Sequence, residues 1–92
     1  MQMLEIMKSR MPEGLEIVKT KCKTYASQIQ IWFSYDGMEC VGHLPRTCTP
    51  GMCDRVCDRT IFNAMAEFAL MEGDLATAKE WLTKCTMLSD ED

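Results

Sequence analysis

Cys40, His43, Cys48, Cys53 and Cys57 fall inside one stretch of eighteen residues, C-V-G-H-L-P-R-T-C-T-P-G-M-C-D-R-V-C, which also holds the only histidine of the chain. Thiolate and imidazole are the donors that tetrahedral zinc prefers, and such short separations let neighbouring ligands reach one ion. Two donor sets can be drawn. The first takes Cys40, His43, Cys48 and Cys53. The second takes Cys40 and His43 from a turn, with Cys53 and Cys57 one turn apart at the start of a helix and Cys48 as an alternate ligand. The second is the better expectation, because a helix N-terminus favours thiolates through its dipole and its unsatisfied N–H groups. Gly42 would give the backbone freedom for N–H···S contacts around the turn. Two other states of the same residues stay open: buried thiols with His43 at the surface, or disulfides among Cys40, Cys48, Cys53 and Cys57.

The first set resembles a retroviral-type zinc knuckle in its 2-4-4 spacing, with histidine second instead of third. The aromatic and basic residues that knuckles use on RNA are missing apart from Arg46. A catalytic reading fares worse. A zinc hydrolase or deaminase keeps one coordination position open beside a carboxylate base. Glu39 adjoins Cys40, but thiolate-rich sites are closed and the H-x-E signature is absent. A Cys–His nucleophilic dyad has no orienting residue or oxyanion pattern beside it. No enzyme is expected.

The elements that must position these donors follow from hydrophobic spacing. Met3, Leu4 and Met7 suit a short helix ending near Met11-Pro12. Leu15, Val18, Cys22, Tyr25, Ile29 and Trp32 recur at helical intervals, which predicts a second helix from about Pro12 to about Ser27. Residues 28–43 read two ways: as its continuation, or as a short β-hairpin, since Gln28–Ser34 alternates and Asp36-Gly37 is a hairpin-turn dipeptide. Pro45, Pro50 and Gly51 make residues 44–52 a loop. Asp54 or Asp58 then starts a helix with the stripe Val56, Ile61, Met65, Phe68 and Ala69. Gly73 ends it, and Asp74 caps a last helix carrying Leu75, Ala78, Trp81, Leu82 and Cys85. Cys22 and Cys85, on apolar stripes, are expected in the core.

The run F-N-A-M-A-E-F-A-L-M-E-G-D-L-A-T-A-K-E-W-L, with Ala66, Ala69, Ala78 and its Gly-Asp turn, resembles a single tetratricopeptide helix pair. The resemblance implies an antiparallel helix pair and no function. The expected fold is therefore mainly α: a small single domain, residues 1–92, of three to four helices closed by a C-terminal antiparallel helical hairpin. Within it lie a helical part (1–35), a zinc-stabilised Cys/His-rich loop (36–57), the hairpin (58–88) and an acidic tail (89–92).

Ninety-two residues bury a thin core, roughly 60–65% of the unfolded surface, which a metal or disulfides would reinforce. No apolar run is long enough for a membrane span, and the N-terminus does not read as a signal peptide. Six cysteines without an export signal point to an intracellular, cytoplasmic setting. The net charge of −4 is uneven: residues 1–59 carry eight Lys/Arg against seven Asp/Glu, residues 60–92 two against seven. Such an acidic end suits a protein partner better than a phosphate backbone. The expected function is a non-enzymatic, zinc-stabilised interaction module, a regulator or inhibitor in the style of small bacteriophage proteins that block host machinery. Its contact residues would be Ile17, Ile31, Tyr35 and Met38 with Glu72, Asp74, Asp90, Glu91 and Asp92. The alternative is a nucleic-acid-binding regulator using Lys19, Lys21, Lys23, Arg46, Arg55 and Arg59, with stacking from Trp32, Phe33 and Tyr35.

Overall fold

The strongest local signal in the chain is the dipeptide Asp36-Gly37, and in the computed structural model both residues have positive φ, 50° and 79°. That is the type I′ turn whose twist matches two flanking strands. It joins β2 (Gln28–Tyr35) to β3 (Met38–Pro45) in an unbroken antiparallel register from Tyr35 opposite Met38 to Gln28 opposite Pro45. A third strand, β1 (Glu16–Lys21), pairs with the other side of β2, giving the order β1-β2-β3. Its register slips between Ile17 and Lys19, a bulge at Val18. Among the described residues three helices complete the fold: α1 (Met3–Arg10), α2 (Cys53–Met71) and α3 (Leu75–Ser89). The structure describes residues 3–22, 27–49 and 51–89.

One face of the sheet is buried and the other is wet. Ile31 and Phe33 of β2 and Cys40 and Leu44 of β3 point to the helices and are at most 7% exposed. They pack with Cys57, Ile61, Ala64, Met65 and Phe68 of α2 and with Met3, Met7 and Leu15 from the N-terminal segment. At the middle of this interface stands Gly42. A Cβ there would lie 2.8 Å from a ring carbon of buried Phe33 and 3.3 Å from the Thr60 methyl on α2. The missing side chain is what lets the helix settle on the strand.

The α1 helix is tied to α2 by Arg10, whose Nε and Nη2 both donate to Asp58 at 2.7 Å. Asp54 adds a weaker ion pair at 3.5 Å. The turn between α2 and α3 is a Schellman motif: Gly73, at φ 77°, donates to the Leu70 carbonyl, and Asp74 to that of Ala69. Asp74 then caps α3, its carboxylate accepting from the Thr77 amide at 3.1 Å and the Thr77 hydroxyl at 2.7 Å. These two bonds hold the Asp74 carboxyl below its ordinary pKa. The α3 helix packs on α2 through buried Ala78 and a tilted Phe62–Trp81 ring pair 5.5 Å apart.

The mainly α expectation is overturned: this is an α+β fold of three helices and a three-stranded antiparallel sheet. The error sits in residues 12–27. Leu15, Val18 and Cys22 do repeat at helical intervals, but Gly14, at φ 92°, breaks any helix begun at Pro12. The β-branched Ile17, Val18 and Thr20 instead pair with β2. Val18 then stands 57% exposed at the bulge, and Cys22 is exposed instead of core. Tyr25 and Lys23 lie outside the described residues. For residues 28–43 the structure has the hairpin, and it runs on through Leu44 and Pro45, which were expected in a loop. Cys85 is half-buried, with its thiol 3.7 Å from the Arg59 carbonyl.

Gly42→Ala is expected to cost about 1–3 kcal/mol, because neither the enclosed Phe33 ring nor the helix can retreat. Urea denaturation followed by circular dichroism measures it; a loss below a few tenths would mean that α2 and β3 are not held together here.

Candidate functional site

The alternation that builds β3 also separates the expected metal donors. Cys40 and His43 are three apart, so they leave opposite faces of the strand. Cys40 is buried under α2, near the Glu67 carboxylate, and His43 is exposed on the outer face. Cys48 and Cys53 are joined as a disulfide with Cα atoms 5.9 Å apart. Cys57 is fully buried, its thiol donating to the Met3 carbonyl at 3.7 Å. The Cys48 sulfur lies 3.3 Å from that of Met3. The expected zinc set Cys40, His43, Cys53 and Cys57 is therefore not brought around one point. Among the described residues there is no group of three or more Cys, His, Asp or Glu arranged to hold a metal.

The other expected residues scatter. Ile31 is wholly inside the core, and Tyr35 and Met38 are half-buried against it, Tyr35 with its ring 5.6 Å from Phe68. Ile17 is likewise half-buried against the core. Glu72 closes α2 and Asp74 opens α3, so Asp74 is used as a cap. Asp90, Glu91 and Asp92 lie outside the described residues. Of the basic set, Lys19 and Lys21 share the outer sheet face with Trp32, and the Lys19 ammonium sits 4.5 Å from the Trp32 ring centre. Arg46 follows β3, while Arg55 and Arg59 are on α2, across the sheet. Phe33 and Tyr35 face inward. The basic residues thus divide between two sides, and the stacking trio is not one surface.

What the fold does assemble is a groove along the outer edge of β3. The type I′ turn makes Tyr35 and Met38 a hydrogen-bonded pair, and bonded pairs alternate along an antiparallel ladder. The bond from the Arg46 amide to the Ser27 carbonyl, 2.9 Å, continues the same parity at the far end. Met38, Cys40, Gly42 and Leu44 therefore direct their N–H and C=O groups to β2. Glu39, Val41 and His43 direct theirs away from it. The Thr60 hydroxyl, arriving from α2, donates to the His43 carbonyl at 2.8 Å, which independently fixes that direction. Among the described residues β3 has no second strand partner.

Facing this edge is a stripe of α2, Thr60, Asn63, Glu67 and Leu70, with Leu82 of α3 beyond it. Together with Val41, Gly42 and His43 they enclose about 430 Å³. Leu70 and Leu82 are about half exposed there. The groove offers backbone donors and acceptors on one wall and apolar anchors on the other. Sequence reading missed it, although Pro45 was a signal: a proline within a strand belongs on an edge, with its nitrogen turned outward. No protein-family model, curated protein or solved structure matches the chain.

Two outcomes follow for the sulfur chemistry. Burial first, and then Glu67, push the Cys40 thiol from 9.0 to about 12, and burial likewise raises Cys57. Native protein treated with iodoacetamide at about pH 8, near the ordinary thiol pKa, is expected to spare Cys40 and Cys57 until denaturant is added. Because the unfolded thiols ionise first, stability should also fall as pH rises from 9.0 towards about 12; labelling of Cys40 in the native state would contradict its burial. Prolonged chelation without reductant is expected to leave the melting temperature unchanged, and a drop of several degrees would show that the donors regroup around an ion.

Proposed function

We propose that the chain is a non-enzymatic protein-interaction module that takes an extended segment of a protein partner along the outer edge of β3, and regulates or inhibits that partner by occupying it. One observation carries this reading: the outward N–H and C=O groups of Val41 and His43 open onto the groove bounded by Leu70 and Leu82. Strand addition draws affinity from such main-chain bonds and specificity from side-chain pockets beside them. The opposite edge of the sheet is guarded. β1 carries a bulge at Val18 and the exposed Lys19 and Lys21, devices that discourage pairing. β3 keeps an unbroken register.

No helix among the described residues is long and apolar enough to cross a membrane. An intracellular, cytoplasmic setting belongs to this proposal. Its support is that Cys40 and Cys57 are buried thiols outside the Cys48–Cys53 disulfide.

The test uses Val41→Pro. The Val41 amide points away from β2, so proline there should leave the hairpin intact while removing a donor from the groove. Immobilised wild-type protein is expected to capture a partner from cell extract at stoichiometric yield. Val41→Pro and Leu82→Asp should each lose it, with unchanged circular dichroism. Equal capture by all three would remove the groove from the function.

A further inference from the structure

We propose that this edge also pairs with a second copy of the chain, β3 against β3, about a two-fold axis through Val41, so that two three-stranded sheets become one. The inference rests on the reading of the β3 edge as a pairing edge and names one occupant for it.

The edge is self-complementary in that register. Antiparallel pairing centred on Val41 sets Val41 against its own copy and Glu39 against the second copy's His43. Glu39, Val41 and His43 then exchange N–H···O=C bonds, since their groups point the right way; Pro45, of the same parity, has no N–H to give. The His43 carbonyl already accepts from Thr60, but a carbonyl has two lone pairs and can take a second donor. Side chains directly opposite in such a pair lie about 4.5–5.5 Å apart at Cβ. A carboxylate therefore meets an imidazole, twice, by symmetry.

Three other registers are worse for stated reasons. Centring on Glu39 sets carboxylate against carboxylate. Centring on His43 puts Pro45, which has no N–H, opposite Val41 and leaves a carbonyl unserved. Centring on Gly42 puts Pro45 opposite Glu39 with the same defect. In the Val41-centred register Pro45 falls opposite the second copy's Gly37, in the hairpin turn, where no ladder bond is needed. The proline thus limits the ladder to the stretch that Glu39, Val41 and His43 supply. The two-fold axis runs normal to the sheet, so both α2 helices stand on one face, and the stripe from Thr60 to Leu70 faces its counterpart across the joined strands.

Native mass spectrometry and sedimentation equilibrium of the full chain test this. The wild type is expected to dimerise in the micromolar range, and Val41→Pro to be monomeric with its circular dichroism unchanged. Glu39→His and His43→Glu each create like-with-like pairs at both symmetric positions, and each should weaken dimerisation about tenfold or more. The double variant Glu39→His/His43→Glu only exchanges the partners, and should return to near the wild-type constant. A monomeric wild type, an undiminished Val41→Pro dimer, or a double variant no better than the singles would each overturn self-pairing. If the wild type is monomeric while Val41→Pro still abolishes capture of another protein, self-pairing falls and the groove reading stands. If the dimer forms as described but capture is indifferent to Val41→Pro, self-pairing stands and the binding of other proteins falls.

Discussion

Where α2 crosses β3, the backbone of Gly42 lies so near the Phe33 ring and the Thr60 methyl that one added carbon has no room. That approach sets the distance between the two layers. It lets Phe33 and Ile31 bury completely against Ile61, Met65 and Phe68, and it brings Thr60 within reach of the His43 carbonyl. The same contact that consolidates the core therefore presents the helix stripe to the strand edge. A bulkier residue at position 42 would lift the helix and spoil core and groove together.

The rest of the molecule supports that contact from a distance. Arg10 clamps α1 onto the start of α2 through a bidentate bond to Asp58, a geometry worth more than a single ion pair although Arg10 is partly solvated. The Schellman turn and the Asp74 cap fold α3 back along α2, which places Leu82 beside Leu70. Among the described side chains of α3 only Ala78 is buried, and Leu75, Leu82 and Met87 are exposed. In a chain this small, an apolar surface of that kind and a strand edge with outward-facing amides are what a binding protein would keep.

Much of the local structure could be read from residue types, and the misreadings have physical causes. Asp36-Gly37 favoured its turn, because few dipeptides accept two consecutive positive φ angles, but a helix running through residues 28–43 stayed open beside it. Gly73-Asp74 specified a helix stop and a helix start for the same sort of reason. The stretch from Leu15 to Cys22 misled because helical spacing and β-branched composition were both present in it. Pairing with β2 decided between them, and no neighbouring residue encodes that pairing. The cysteines are placed by contacts farther away in the chain. C-x2-H chelates only when it forms a turn; drawn out as a strand it sends Cys40 into the core and His43 to solvent, while Cys48 and Cys53 bond to each other.

The amino-acid order by itself thus determined the Gly73-Asp74 stop and cap and the apolar stripe of α2, since each depends on backbone freedom or side-chain period within a few residues. Tertiary structure alone decided which segment became β1, which cysteines met, and which amides of β3 were left facing outward. Those outcomes depend on partners far away in the chain, and on the one-residue parity of a ladder whose register is fixed only when both strands and the covering helix are in place.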